Sequence, residues 1–430
     1  MKQVGETFSD ATRRYVLGVL VVTYTFNFID RQILGILVEP IKQDLGVSDT
    51  AMGLLTGLAF AVFYTFMGIP IARIADRTNR RNLIAGALAI WSLFTALQGF
   101  AQNFIQLLLF RIGVGVGEAG CSPPSHSMLA DYYPPERRAT ALGIYALGIP
   151  FGILFGFFVG GWMEQFFGWR WAFVVVGIPG LLLALLVRFT VKEPPRGMSE
   201  ANPPAADAPP AVQPPVKEVI AYLLARRSFI HMAIGGGVTA FVGYGLITFA
   251  AAFFTRSHGM SSGELGTYLG LIFGIPGGIG IALGGRLADY FGARDPRWYL
   301  WVVAVGLLIL IPFALAAYMV QSAGLALLLL VIPVMLGNFY QATTFAQTQT
   351  LVGVRMRSVA AAILLFVLNM IGLACGPSVV GILSDWLAPN YGDESLRWAL
   401  FLCTFANFWA AFHYWRAGVH FPKDRARAEA

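Results

Sequence analysis

Apolar runs of about 20 residues recur from one end of the chain to the other, each long enough to cross a hydrocarbon core of roughly 30 Å. Twelve are legible, at 16–38, 51–71, 83–100, 104–129, 141–162, 171–189, 229–254, 265–288, 299–320, 325–352, 359–383 and 399–415. A run of that length in hydrocarbon must satisfy its backbone internally, so each predicts a helix and the whole predicts an all-α integral membrane protein. Between the sixth and seventh runs lies EPPRGMSEANPPAADAPPAVQPP, whose proline and alanine without apolar periodicity predict an extended linker. In the VKEVIAYLL that follows, Val219, Ile220, Leu223 and Leu224 form one stripe, predicting a short helix on the membrane surface. The chain accordingly divides into a six-helix bundle at 1–190, a linker with its interfacial helix at 191–227 and a second six-helix bundle at 228–430.

Polar residues inside these runs mark the candidate chemistry. Arg111 and Glu118 stand seven apart in NFIQLLLFRIGVGVGEAG, which returns them to nearly the same helix face. A charge at that depth costs roughly 2.5 to 3.5 kcal/mol on insertion scales, so both point to a pathway or relay and both need partners. The first run supplies them in Asn27, Asp30 and Arg31. Asp30 and Arg31 are adjacent, hence about 100° apart, and one faces the cavity more directly than the other. The second half answers with neutral groups, among them Thr239, Tyr244 and Thr248, then Asn338 and Gln341, which line a wet cavity or join helices.

Composition sharpens this picture. The 430 residues are 57% hydrophobic and 12% charged, with a mean hydropathy of +0.66, against about 25% charged in soluble domains. The net charge of +7 is a matter of topology. Of 30 Lys and Arg, 24 fall at the termini and even-numbered connections, 4 at the odd-numbered ones and 2, Arg31 and Arg111, within runs. By the positive-inside rule both termini are cytoplasmic, and no nucleic-acid footprint is left. The first run is full length with no small-residue cleavage site and reads as a retained helix. Cys121, Cys375 and Cys403 lie in or at the runs and read as packing residues rather than disulfides, and five scattered histidines lack metal-ligand spacing.

Two enzyme signatures occur by spelling alone. Gly115, Gly117 and Gly120 satisfy GxGxxG inside an apolar helix, where a dinucleotide motif needs a preceding strand. Gly259, Ser261 and Gly263 satisfy GxSxG, but Ser261 with Glu264 reads as a capping box opening the eighth run. No cofactor, metal or catalytic constellation is expected.

An internal repeat is present. ARIADRTNRR (72–81) and GRLADYFGAR (285–294) align at an offset of 213, and each follows the second run of its half. The fifth run carries Gly148, Gly152 and Gly156 and the eleventh Gly372, Gly376 and Gly381, spacings that let helices approach closely.

These loops, twelve runs, the long linker and the cytoplasmic termini together resemble the major facilitator superfamily over essentially the whole chain. That resemblance implies two pseudo-symmetric halves, a central cavity between them and a monomer. It also implies a cytoplasmic gate at Asp76, Arg77, Arg81, Asp289 and Arg294, with Ala72 departing from the usual glycine. NFIDRQILGILVEPIKQDLGVSDTAMGLL and FRIGVGVGEAGCSPPSHSMLADYYPPERRATALGIY resemble the Spinster-type transporters, associated with sphingolipid and lysophospholipid export. By that likeness Asp30, Arg31, Arg111 and Glu118 couple protons to substrate, and GIPFG in the fifth run resembles an antiporter motif. The expectation is a multi-pass protein of the inner or plasma membrane that exports an amphipathic anionic lipid against protons. An organic-anion/proton symporter and a drug/proton antiporter are the alternatives.

Overall fold

The computed structural model describes residues 8–199, 215–353 and 356–429, leaving out the side chains of Ile69, Ala72, Asp76, Ala139 and Glu429. Among the described residues the regular structure is helical throughout, with no strand. Among the described residues nine continuous helical stretches are long and apolar enough to cross a membrane, and the last, Arg357–Ala428, is long enough to do so twice. With α1 (Asp10–Leu45) and α4 (Arg80–Gln98), which hold the first and third apolar runs, the twelve spans are complete.

Packing gathers the chain into two units, Met1–Ile33 with Phe63–Pro210 and Leu34–Val62 with Ala211–Ala430. The dividing line therefore crosses α1 and the second span, whereas chain order places the boundary at the linker.

The first unit holds α1 up to Ile33, most of α3 (Phe60–Arg77), α4, α5 (Phe104–Glu118), α6 (Ser122–Tyr132), α7 (Pro135–Ala146), α8 (Gly148–Phe167) and α9 (Trp169–Thr190). Asn103 starts α5 by accepting the Gln106 N–H at 3.0 Å. Gly120, Pro123 and Pro124 then interrupt the span, so α5 ends on Glu118 and a new helix begins at Ser122. The spelled GxGxxG is a packing seam. A Cβ on Gly117 would lie 2.7 Å from the Trp91 nitrogen, and one on Gly120 2.7 Å from the Ala87 Cβ. Likewise Gly148 and Gly152 seat α8 against α1, where a Cβ would meet Tyr24 at 2.9 Å and Phe28 at 2.3 Å.

The second unit begins with the end of α1, α2 (Asp49–Gly53) and a wide π turn over Leu54–Ala59. It continues with α10 (Val216–Leu224), α11 (Arg227–His258), α12 (Ser262–Gly292), α13 (Trp298–Met319), α14 (Ala323–Gly337), α15 (Phe339–Thr350) and α16 (Arg357–Leu368). A second π turn, Asn369–Ala374, leads into α17 (Cys375–Tyr391), followed by α18 (Ser395–Thr404) and α19 (Ala406–Glu429). Gly372 and Gly376 bring the eleventh span onto α11, where a Cβ would stand 2.4 Å from Ala240 and from the Phe241 carbonyl. The fifth helix of each half thus lies on the first, which is the repeat expressed as packing. The capping box at Ser261 and Glu264 is present, with the Ser261 N–H donating to Glu264 at 3.0 Å. The α10 helix departs from a free surface helix: Val219 and Leu223 are buried in the core of the second unit, while Ile220 and Leu224 are exposed. Residues 200–214 of the linker lie outside the described residues.

Candidate functional site

In the first unit α1 and α5 bring five of the predicted residues together. Asn27, Asp30, Arg111 and Glu118 are each 1% exposed. Arg31 donates from Nη2 and Nε to Glu118 Oε2 at 2.7 and 3.1 Å, and from Nη2 to Asn27 Oδ1 at 3.4 Å. Its guanidinium also lies over the rings of Phe28 and Tyr64, 4.9 and 4.6 Å from their centroids. The pairing has a local cause. Glu118 closes α5, and a carboxylate at the negative end of a helix dipole needs a compensating cation.

Arg111, two turns earlier, reaches the same helix but takes backbone: it donates to the carbonyls of Asp30 at 3.1 Å and Arg31 at 3.4 Å. Asp30 and Arg31 diverge as adjacent helix positions must. Arg31 turns to α5, while the Asp30 carboxyl faces Trp91 and Thr95 of α4 without reaching hydrogen-bond geometry to either. Neither Asp30 oxygen, nor Glu118 Oε1, has a hydrogen-bond partner among the described residues.

The α4 helix is a contributor that sequence reasoning passed over. Trp91, Ser92, Thr95 and Gln98 are fully buried, and their side-chain polar atoms are likewise without partners among the described residues. The signal was available as the spacing 91, 95, 98, which puts an indole N–H, a hydroxyl and an amide on one face of an apolar run. Asn338 and Gln341 belong to the second unit. They bond to each other at 2.7 Å where the tenth span breaks between α14 and α15, and Asn338 also donates to the Val334 carbonyl at 2.7 Å. Phe249 and Phe273 are buried in that unit.

Among the repeated loops, the inward-facing cation is Arg80, which is fully buried. Its Nε donates to Glu193 at 2.7 Å, Nη1 to Ser127 Oγ at 3.0 Å and to Asp131, and Nη2 to the Pro194 carbonyl at 2.9 Å. Arg196 caps the end of α3 through the Ala75 and Thr78 carbonyls at 2.6 and 3.0 Å, so the start of the linker is docked rather than extended. Arg77 is exposed, and Arg81 bonds through Nε to Asn82 at 3.0 Å. The Asp76 side chain lies outside the described residues. Asp289 and Arg294 are both exposed, with Arg294 donating to its neighbour Tyr290 at 2.8 Å. Arg80→Ala is expected to lower stability by about 3 kcal/mol by stranding two carboxylates, and Arg81→Ala to change it by less than about 0.5 kcal/mol. Thermal unfolding in detergent compares the two, and equal effects would remove Arg80 from its place at the hub.

A second buried cluster was invisible in the sequence. Arg256, at the end of α11, forks onto both carboxylate oxygens of Asp49 at 2.7 Å each and donates from Nε to Glu39 at 2.7 Å. Lys42 lies 2.9 Å from Asp49, and Ser384 donates to it at 2.7 Å. Asp385 in turn accepts the backbone N–H groups of Asp49 and Thr50 at 3.1 and 2.7 Å, capping α2. This network, together with Gly53 seated on the Pro377 carbonyl, explains why residues 34–62 pack with the second unit.

The comparisons with known proteins agree with this architecture. The sequence pattern of the Major Facilitator Superfamily matches residues 20–377. The chain is 38% identical over 409 residues to an MFS-type efflux pump of Mycolicibacterium smegmatis, covering 95% of this chain and 93% of the relative. It is 27% identical over 438 residues to human protein spinster homolog 1, covering 96% of this chain and 82% of the relative. A crystal structure of a bacterial homolog to the human lysosomal transporter Spinster, inward-facing and unoccupied, superposes with a TM-score of 0.86 at 34% identity, covering 97% of this chain and 99% of that one. The protein is thus a multi-pass membrane transporter for a small molecule rather than an enzyme, and it belongs to the major facilitator superfamily, as a homologue of the Spinster proteins.

Proposed function

We propose that the protein is a proton-coupled secondary active transporter, working by alternating access and exporting an amphipathic anionic lipid of the lysophospholipid or sphingoid phosphate class. The observation that carries this reading is Asp30, a carboxyl 1% exposed inside a membrane helix with no hydrogen-bond donor on either oxygen among the described residues. An intramembrane carboxyl so placed is a proton-relay candidate by default. Asp30 and Glu118 gain and lose the proton, while Arg31, Arg111 and Asn27 take an anionic headgroup. Asn338 and Gln341 offer amides to the cargo. Asp76, Arg77, Arg81, Asp289 and Arg294 serve the cytoplasmic gate of a monomer in the inner or plasma membrane with both termini in the cytoplasm. The name of the mycobacterial relative, an efflux pump, supports export.

That same name favours drug/proton antiport as a second reading, against which stand the buried Arg111 and the partly buried Arg31, poor neighbours for a cationic cargo. Proteoliposomes separate the two. Under an imposed pH gradient, lysophosphatidylglycerol or sphingosine phosphate is expected to move and ethidium is not, and the reverse result overturns the lipid reading. Asp30→Asn is expected to keep cargo binding and to lose the response of transport to the gradient. Unchanged coupling in both Asp30→Asn and Glu118→Gln would end the assignment of the proton site.

A further inference from the structure

The outer face of the second unit carries a groove that the transport reading does not use. It is an open groove holding about 400 Å³ between α13 and α19. Its walls are Trp298, Trp301, Val305 and Leu308 on one side and Phe408, Phe412 and Trp415 on the other. Those positions run ten residues along α13, or about 15 Å at 1.5 Å per residue. That is half of a hydrocarbon core of about 30 Å, the depth of one leaflet.

One end of the groove is built and basic. The Trp301 indole N–H donates to the Trp415 carbonyl at 3.1 Å, fixing two of the aromatic walls. Gly418 lets the helices close there, since a Cβ would lie 2.5 Å from the Trp301 ring and 2.9 Å from the Arg297 carbonyl. The guanidinium of Arg297 lies 5.9 Å from the Trp301 ring centroid and that of Arg416 5.9 Å from the Trp415 centroid. Arg297 is exposed, and neither arginine has a carboxylate within ion-pair distance among the described residues. Arg416 donates to His420 at 3.2 Å, and Arg416, His420, Lys423 and Arg427 follow at 416, 420, 423 and 427, a single basic stripe leading away from the groove. The nearby acids are committed elsewhere. Asp424 accepts the Ser228 N–H and hydroxyl at 2.9 and 2.8 Å, and Asp295 accepts the Arg297 backbone N–H at 3.0 Å.

An apolar channel one leaflet deep with two uncompensated arginines and interfacial tryptophans at its mouth matches one occupant. We infer that this groove binds an anionic glycerophospholipid of the surrounding bilayer, one acyl chain lying between α13 and α19 and the phosphate at Arg297 and Arg416. The site lies wholly within the second unit and is independent of the cargo proposed above.

The full-length protein in detergent, titrated with phosphatidylglycerol and with phosphatidylcholine of identical chains and followed by native mass spectrometry, tests the assignment. Phosphatidylglycerol is expected to be retained preferentially, and Arg297→Gln/Arg416→Gln to weaken that retention by about tenfold while leaving phosphatidylcholine unchanged. Chains brominated near the middle are expected to quench wild-type tryptophan fluorescence more than that of Trp301→Phe/Trp415→Phe. Equal retention of the two lipids, or wild-type retention of phosphatidylglycerol by the double arginine variant, overturns it. Because Arg297 is exposed and Arg416 only partly buried, that variant remains decisive even if the tryptophan variant fails to fold.

Discussion

Arg31→Ala is expected to abolish gradient-driven transport and to lower the free energy of unfolding by about 3–5 kcal/mol. The stability loss follows from Glu118, whose side chain is fully buried at the end of α5 and whose oxygen Oε2 takes both of its bonds from Arg31. With the guanidinium gone, a buried charge and a helix C-terminus of the same sign are left facing one another. A double-mutant cycle separates structure from transport. Arg31→Met with Glu118→Met removes both charges, and buried pairs replaced by apolar groups of similar size are often neutral or stabilising. The double variant should therefore recover stability to within about 1 kcal/mol of the wild type yet remain inactive. Recovery of transport in the double variant would make the pair structural, and wild-type transport by Arg31→Ala would exclude it from the mechanism.

The second large effect is expected at Arg256. Removing it leaves Asp49, with a side chain 2% exposed, to Lys42 alone among its cations in the described residues, and takes from Glu39, 11% exposed, the guanidinium it pairs with. Arg256→Ala is expected to cost about 3–5 kcal/mol. Arg256→Lys should restore only part of this, because a point charge cannot reproduce the fork onto Asp49 while also reaching Glu39. Thermal unfolding in detergent at low and high salt checks both. The loss should persist at high salt, since burial shields the network from screening. A small or salt-abolished effect would reduce the cluster to a surface ion pair.

Some of this was legible residue by residue. The seven-residue spacing of Arg111 and Glu118 placed both on the face of α5 that meets α1, and the divergence of Asp30 from Arg31 followed from helix geometry. Other features were not legible for physical reasons. Arg80 and Arg81 are adjacent, about 100° apart, and which one turns inward depends on where Asp131 and Glu193 lie, 51 and 113 residues away from Arg80. The Arg256 fork reaches Asp49 across 207 residues and Glu39 across 217, separations that leave no local periodicity. The helix after the linker was legible as amphipathic, but that Val219 and Leu223 would enter the core while Ile220 and Leu224 stayed outside was not.

The sequence by itself determined the helices, their number, the repeat and the charged residues that had to be explained. It could do so because hydrocarbon leaves a backbone no partner but itself, so apolar length alone dictates a helix. Only the tertiary structure decided that Arg31 donates to the Glu118 carboxylate while Arg111 reaches the α1 carbonyls, that Asp30 faces α4, and that residues 34–62 pack with the second unit. A buried charge announces its need for a partner in one residue, but the partner is chosen by the close approach of helices distant in sequence, which glycines such as Gly53 and Gly152 permit.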